Sequence, residues 1–183
     1  MKNVMIDLET LSTRADGIIM SIGAVKFDTD LGVIEADPFY VSISIDSNRE
    51  ARRHLDESTL IWWLQQSKEA QTVFSEPKVT LRSALEDLAD FIGGEDVRVW
   101  SNGADFDIPM LAHAYHTFDL AAPWAYSNTR CYRTYKNIEG LAVPRKPRQG
   151  THHNALEDAL YQADHLIALF RAMRGGAGQQ EAA

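Results

Sequence analysis

The chain has 183 residues, 45% of them hydrophobic, and a formal net charge of −8 at pH 7. That length suits one globular domain able to bury roughly 70% of its unfolded surface, and the negative charge argues against non-specific wrapping of duplex nucleic acid, an affinity that comes from cations displacing counterions at phosphates. The single cysteine, Cys131, excludes an internal disulfide and a cysteine-rich zinc site and reads as a small buried hydrophobe. The N-terminus shows no basic region followed by an apolar stretch, and no apolar run approaches the roughly 20 residues of a membrane span. A soluble, cytoplasmic protein with no membrane partner is therefore expected.

The first predicted strand, Asn3 to Thr10, is interrupted by two carboxylates. Side chains two apart in an extended strand share a face, so Asp7 and Glu9 project together while Val4, Ile6 and Leu8 face the other way. Two like charges on one half-buried face repel and protonate unless a divalent cation, a basic partner or solvent offsets them. A hard cation held by oxygen ligands is the simplest remedy; a strand end whose acids reach water is the other.

A polar turn leads to a second strand over Ile18–Phe27, and Phe39–Ile43 alternates as a third, together suggesting an antiparallel meander. Leu60, Trp63 and Leu64 then lie at helical spacing behind Ser58 or Thr59 as caps. The adjacent Trp62 and Trp63 point about 100° apart, which leaves one of them outside the core as a platform for a base, a packing residue or an interface residue. A helix from Thr80 to Ile92 carries Leu81, Leu85, Leu88 and Ile92 on one stripe and closes at Gly93-Gly94. A strand over Val97–Trp100 passes into a helix near Asp107, with Pro109 in its first turn; Asp105 and Asp107 are both candidate N-caps there.

From Thr129 to Gly150 the balance turns basic, with Arg130, Arg133, Lys136, Arg145, Lys146 and Arg148 against Glu139 alone. This is either a phosphate-contacting surface or a solvated loop and helix face. Pro144 and Pro147 make its last part a loop. Asn154, followed three residues later by Glu157, resembles a capping box for a long helix with Leu156, Leu160, Ala163, Ile167 and Phe170 as its buried stripe. His153 falls just before that helix and Asp158 about one turn in. Residues 1–174 read as a single domain and 175–183 as a flexible tail.

In order, Asp7-x-Glu9, Asn102-Gly103-Ala104-Asp105-Phe106-Asp107 and His153-x4-Asp158 resemble the three motifs of the DEDD superfamily of 3′-5′ exonucleases, and the resemblance covers nearly the whole chain. The residue four before Asp158 is Asn154 rather than tyrosine, so the chain resembles the histidine branch. With Trp62-Trp63 and Arg130-Cys131-Tyr132-Arg133-Thr134 it looks closest to small phage and prophage exoribonuclease-like and exonuclease VIII-like members. The resemblance implies an α/β, ribonuclease H-like fold: a central mixed sheet of antiparallel meander plus parallel strands, flanked by helices. It implies Asp7, Glu9, Asp107 and Asp158 as ligands of two divalent cations, Mg2+ or Mn2+, with His153 as general base. Thr10 and Leu11 would border the terminal base and its 3′ hydroxyl. Asn102 and Phe106 of the second motif, with Arg130 and Arg133, complete the substrate-contacting candidates. It also implies a homodimer. Ser101 stands where the family often has histidine, a change that touches no ligand.

Such a site suits phosphodiester hydrolysis, which needs a deprotonated water aimed in line and charge neutralisation on the phosphoryl oxygens and the leaving oxygen. The expected reaction releases nucleoside 5′-monophosphates from the 3′ end of single-stranded or 3′-overhang RNA or DNA. A catalytically weak nucleic-acid-binding or assembly subunit, an endonuclease and a hydrolase of small nucleotides are the alternatives.

Overall fold

The computed structural model describes residues 2–141, 143–147 and 150–180, the side chains of 176–180 excepted. Strand β1 (Asn3–Thr10) pairs antiparallel with β2 (Ile19–Asp28), in register from Asn3 opposite Phe27 to Glu9 opposite Ser21, with a slip before Thr10. The short β3 (Val33–Ile34) and β4 (Phe39–Ser42) both pair antiparallel with β2, at Phe27–Asp28 and Ser21–Ala24 respectively. This is the expected meander. Beyond β1, β5 (Arg98–Ser101) and then β6 (Thr129–Cys131) add in parallel, giving the order β3-β2-β1-β5-β6 with β4 beside β2. Neither β3 nor β6 was foreseen, because two or three residues carry no readable alternation.

The helices are α1 (Ile45–Glu50), α2 (Glu57–Leu64), α3 (Leu81–Ile92), α4 (Asp107–Thr117), α5 (Tyr132–Lys136) and α6 (Ala155–Gln180). The Thr80 hydroxyl caps α3 by accepting from the Ser83 amide, and Gly93, with φ of 83°, ends it in the left-handed conformation expected there. The cap of α2 is Asp56 rather than Ser58 or Thr59: its carboxylate accepts from both of their amides, so they form the first turn. Short α1 and α5 were not anticipated. The backbone of α6 runs on through Gly175 and Gly176 to Gln180, past the Arg174 boundary, since glycine costs about 1 kcal/mol in a helix but does not forbid one. Residues 181–183 of the expected tail lie outside the described residues.

The two faces of β1 have different fates. Val4, Ile6 and Leu8 enter a core with Leu81, Leu85 and Leu88 of α3 and Met110 and Leu111 of α4. Met5 faces the opposite way, into a second core with Phe27, Trp100 and Ala159, Ala163 and Leu166 of α6. Asp7 and Glu9 continue the Met5 face. The buried stripe of α6 is built on Ala155, Ala159, Ala163, Leu166 and Ile167, of which Ala163 and Ile167 were expected, while Leu156, Leu160 and Phe170 pack at its flanks only half-buried. Size rather than hydrophobicity decides this. The start of α6 lies so close to β2 that a Cβ on Gly23 would stand 2.2 Å from the Ala155 carbonyl carbon. Since Gly23 pairs with Asp7, that close approach sets the first turn of α6 beside the carboxylates of β1.

Candidate active site

Asp7 and Glu9 from β1 and Asp158 from the first turn of α6 each bring a carboxylate oxygen to within 4.8 Å of the others. Asp107, the first residue of α4, lines the same cleft, of about 340 Å3, without joining that group of three. Neither Asp107 nor Asp105 caps α4: Phe106 occupies the N-cap position and no side chain caps the helix. Asp107 is instead 4% exposed, and burial pushes its carboxyl up to about 7. Its own amide, the Ser101 hydroxyl, the Leu8 amide and the Arg133 charge pull the other way. A carboxyl in this state is one that a cation in the cleft would ionise, because metal binding and proton release are linked.

His153 also lines the cleft. Its backbone is left-handed, with φ of 61°, a conformation uncommon outside glycine. The ring lies edge-to-face with Trp62, centroids 4.8 Å apart, and 6.2 Å from Trp63. Behind it, Asn154 Oδ1 accepts from the Leu156 and Glu157 amides, capping α6 as its motif predicts. Trp63 is buried and donates its Nε1–H to the Thr10 carbonyl, whereas Trp62 is 40% exposed. The pair thus divides as helical geometry requires.

A second cleft of about 450 Å3 shares Leu8, Glu9 and Phe106 with the first and adds Thr10, Trp62 and Trp63. Of the predicted substrate contacts, Thr10, Asn102 and Phe106 line these clefts. Leu11 is 1% exposed and packs with Ile18, Met20 and Trp63, so its side chain offers no surface to a ligand. Arg133 donates to the Asn102 carbonyl at 2.8 Å and Lys136 to Asn102 Oδ1 at 3.0 Å, fastening the turn that carries Asn102. Arg130 turns toward the carbonyls of Ser127 and Thr129.

Two buried polar residues were not foreseen, the first at the site and the second away from it. Gln162 lines the cleft and donates to Asp7 Oδ1 at 2.7 Å; its spacing of four from Asp158 was the available signal. Arg53, 5% exposed, donates to the carbonyls of Gly17, Ala15 and Met110, tying the turn after β1 to α4. Burial lowers its guanidinium to about 10. No motif marks it.

The family model for the 3′-5′ exoribonuclease Rv2179c-like domain matches residues 2–170. An exodeoxyribonuclease of enterobacteria phage T4 is 25% identical over 171 residues, 79% of this chain and 74% of that protein. Among solved structures, E. coli exonuclease I in complex with a dT13 oligonucleotide superposes with a TM-score of 0.67 at 10% identity, over 91% of this chain and 40% of exonuclease I. The zinc-ion-bound form of the E. coli ExoI–ssDNA complex gives 0.66 at 10% identity, over 94% and 40%. The chain spans about two fifths of those structures, and the likeness shows a ribonuclease H-like fold.

Proposed function

The chain belongs to the 3′-5′ exoribonuclease Rv2179c-like family, and from that premise we propose that it removes nucleoside 5′-monophosphates one at a time from the 3′ end of single-stranded RNA or DNA. The observation that carries this is the convergence of Asp7, Glu9 and Asp158 within 4.8 Å, with Asp107 and His153 on the same cleft. The donor set fits hard divalent cations: oxygen ligands, mutually close and partly buried, and one carboxyl whose burial calls for a compensating charge. Asp7, Glu9, Asp107 and Asp158 would hold Mg2+ or Mn2+, which supplies charge neutralisation at the scissile phosphate. His153 accepts the proton of the attacking water, a task suited to an imidazole whose ordinary pKa is about 6.5. Thr10, Phe106 and Trp62 form the wall on which the terminal nucleotide rests. Asn102, with its Oδ1 taken by Lys136, presents its amide N–H groups to the substrate.

A homodimer in the cytoplasm is part of the proposal. Exposed Ile61 and Leu64 on α2, beside exposed Leu55, support the dimer, which sedimentation tests. Among the described residues no helix is long and apolar enough to cross a membrane. The family's description names RNA and the T4 relative's name DNA, so the test runs both sugars. Matched 3′-labelled and 5′-labelled single strands of RNA and DNA are incubated with Mg2+, Mn2+ or EDTA, beside Asp7→Ala. Metal-dependent release of 3′-terminal mononucleotides, lost in the variant, is expected. Cleavage of circular or 3′-phosphate-blocked strands would overturn the assignment, as would no turnover of either polymer.

A further inference from the structure

Gln162 has no part in the chemistry above, yet its surroundings are not those of a packing residue. It lies one turn beyond Asp158 on α6, is 5% exposed, and donates Nε2–H to Asp7 Oδ1 at 2.7 Å. Its Oε1 is buried and, among the described residues, meets no donor. An unsatisfied buried carbonyl is costly, but turning the amide over would set Oε1 against the Asp7 carboxylate, acceptor against acceptor. The carboxylate therefore dictates the orientation of the amide, and its oxygen side waits for a donor from outside the chain.

We propose that Gln162 is a positioning residue for Asp7: it anchors one carboxylate oxygen so that the carboxylate addresses the cation in a single orientation, and its Oε1 accepts a hydrogen bond from water that arrives with the cation. The inference rests on the metal-dependent exonuclease reading above. Asp158 and Gln162, four residues apart, share one face of α6. The same helix thus contributes a ligand and steadies the ligand opposite, across the close contact of Ala155 with Gly23. Removing such an outer partner of a metal ligand ordinarily weakens metal binding by about 10–100-fold.

The test uses the full chain without nucleic acid first. Gln162→Met keeps the length of the side chain but can no longer donate a hydrogen bond to Asp7. Gln162→Asn keeps the polarity but is one carbon short of Asp7. Calorimetric titration with Mn2+ is expected to show both variants bound at least about 10-fold more weakly than wild type, with melting temperatures in EDTA that do not fall. On a single-stranded oligonucleotide kcat falls, KM changes by less than about twofold, and raising Mn2+ restores the rate, which a merely structural lesion would not allow. Unchanged Mn2+ affinity in the variants, with a wild type that binds, overturns the positioning role and leaves the exonuclease standing. A wild type that binds no Mn2+ overturns both. A fall in melting temperature in EDTA, with rates that excess Mn2+ does not restore, assigns Gln162 to packing and likewise overturns the proposal.

Discussion

In the acidic cleft, carboxylates from β1, α4 and α6 come together from positions as far apart as Asp7 and Asp158, three of them within 4.8 Å. In the basic stretch after Thr129, four of the cations, Arg130, Arg133, Lys136 and Lys146, are engaged by their own chain instead, while Arg148 lies outside the described residues. Arg130 binds two nearby carbonyls, Arg133 lies 3.7 Å from Asp105, and Lys146 pairs with Asp164 at 2.7 Å. Arg133 and Lys136 are tied to the cleft by their hydrogen bonds to Asn102, and the Arg133 charge also bears on Asp107. The difference teaches that local charge in the sequence is a poor guide to charge at the site. The fold holds like charges together in the cleft, and under the proposed function a phosphate there would meet its positive charge in cations that these carboxylates would hold rather than in a basic surface.

The comparison breaks most visibly at the acids. Chelation with EDTA, or Asp7→Asn, should lower nuclease activity by roughly 10³-fold or more, the loss of several kcal/mol of charge stabilisation; a turnover assay with Mn2+ added back reads it directly. His153→Ala should cost about 10²–10⁴-fold while Mn2+ binding, followed by calorimetry, stays intact. Near-wild-type rates in that variant would remove His153 from the chemistry. Gly23→Ala should destabilise by about 1–3 kcal/mol in urea melts, because α6 must lift from β2, and should weaken Mn2+ binding as Asp158 moves from Asp7. At the small end, Lys146→Ala should change stability by less than about 1 kcal/mol, its exposed pair being screened, and leave activity alone. If Lys146→Ala lowered kcat/KM as much as Lys136→Ala, the contrast between an idle basic loop and the pair that fastens Asn102 would be lost.

Much of the fold and site was legible. The alternation in β1, the Thr80 cap with its closing Gly93, and the order of the three motifs are local patterns, and each sits where its spacing implies. The stripe of α6 was read only in part: Ala163 and Ile167 are buried as expected, but Ala155 and Ala159 take the places given to Leu156 and Leu160, and at Ala155 the helix backbone lies too close to Gly23 to leave room for a Cβ there. Asp56 was passed over as a cap for its hydroxyl neighbours. Gln162 and Arg53 escaped notice because their partners, Asp7 and the carbonyls at 15, 17 and 110, are distant along the chain.

By itself the sequence determined which residue types could do chemistry here and which face of the first strand would carry them, since a period of two and a helix cap are properties of neighbouring residues. The tertiary structure alone decided that Asp158 meets Asp7 and Glu9, that Asp107 is buried rather than capping, that Trp62 lies against His153, and that Arg133, Lys136 and Lys146 are already engaged. Those are distances between elements, which only the packed chain defines.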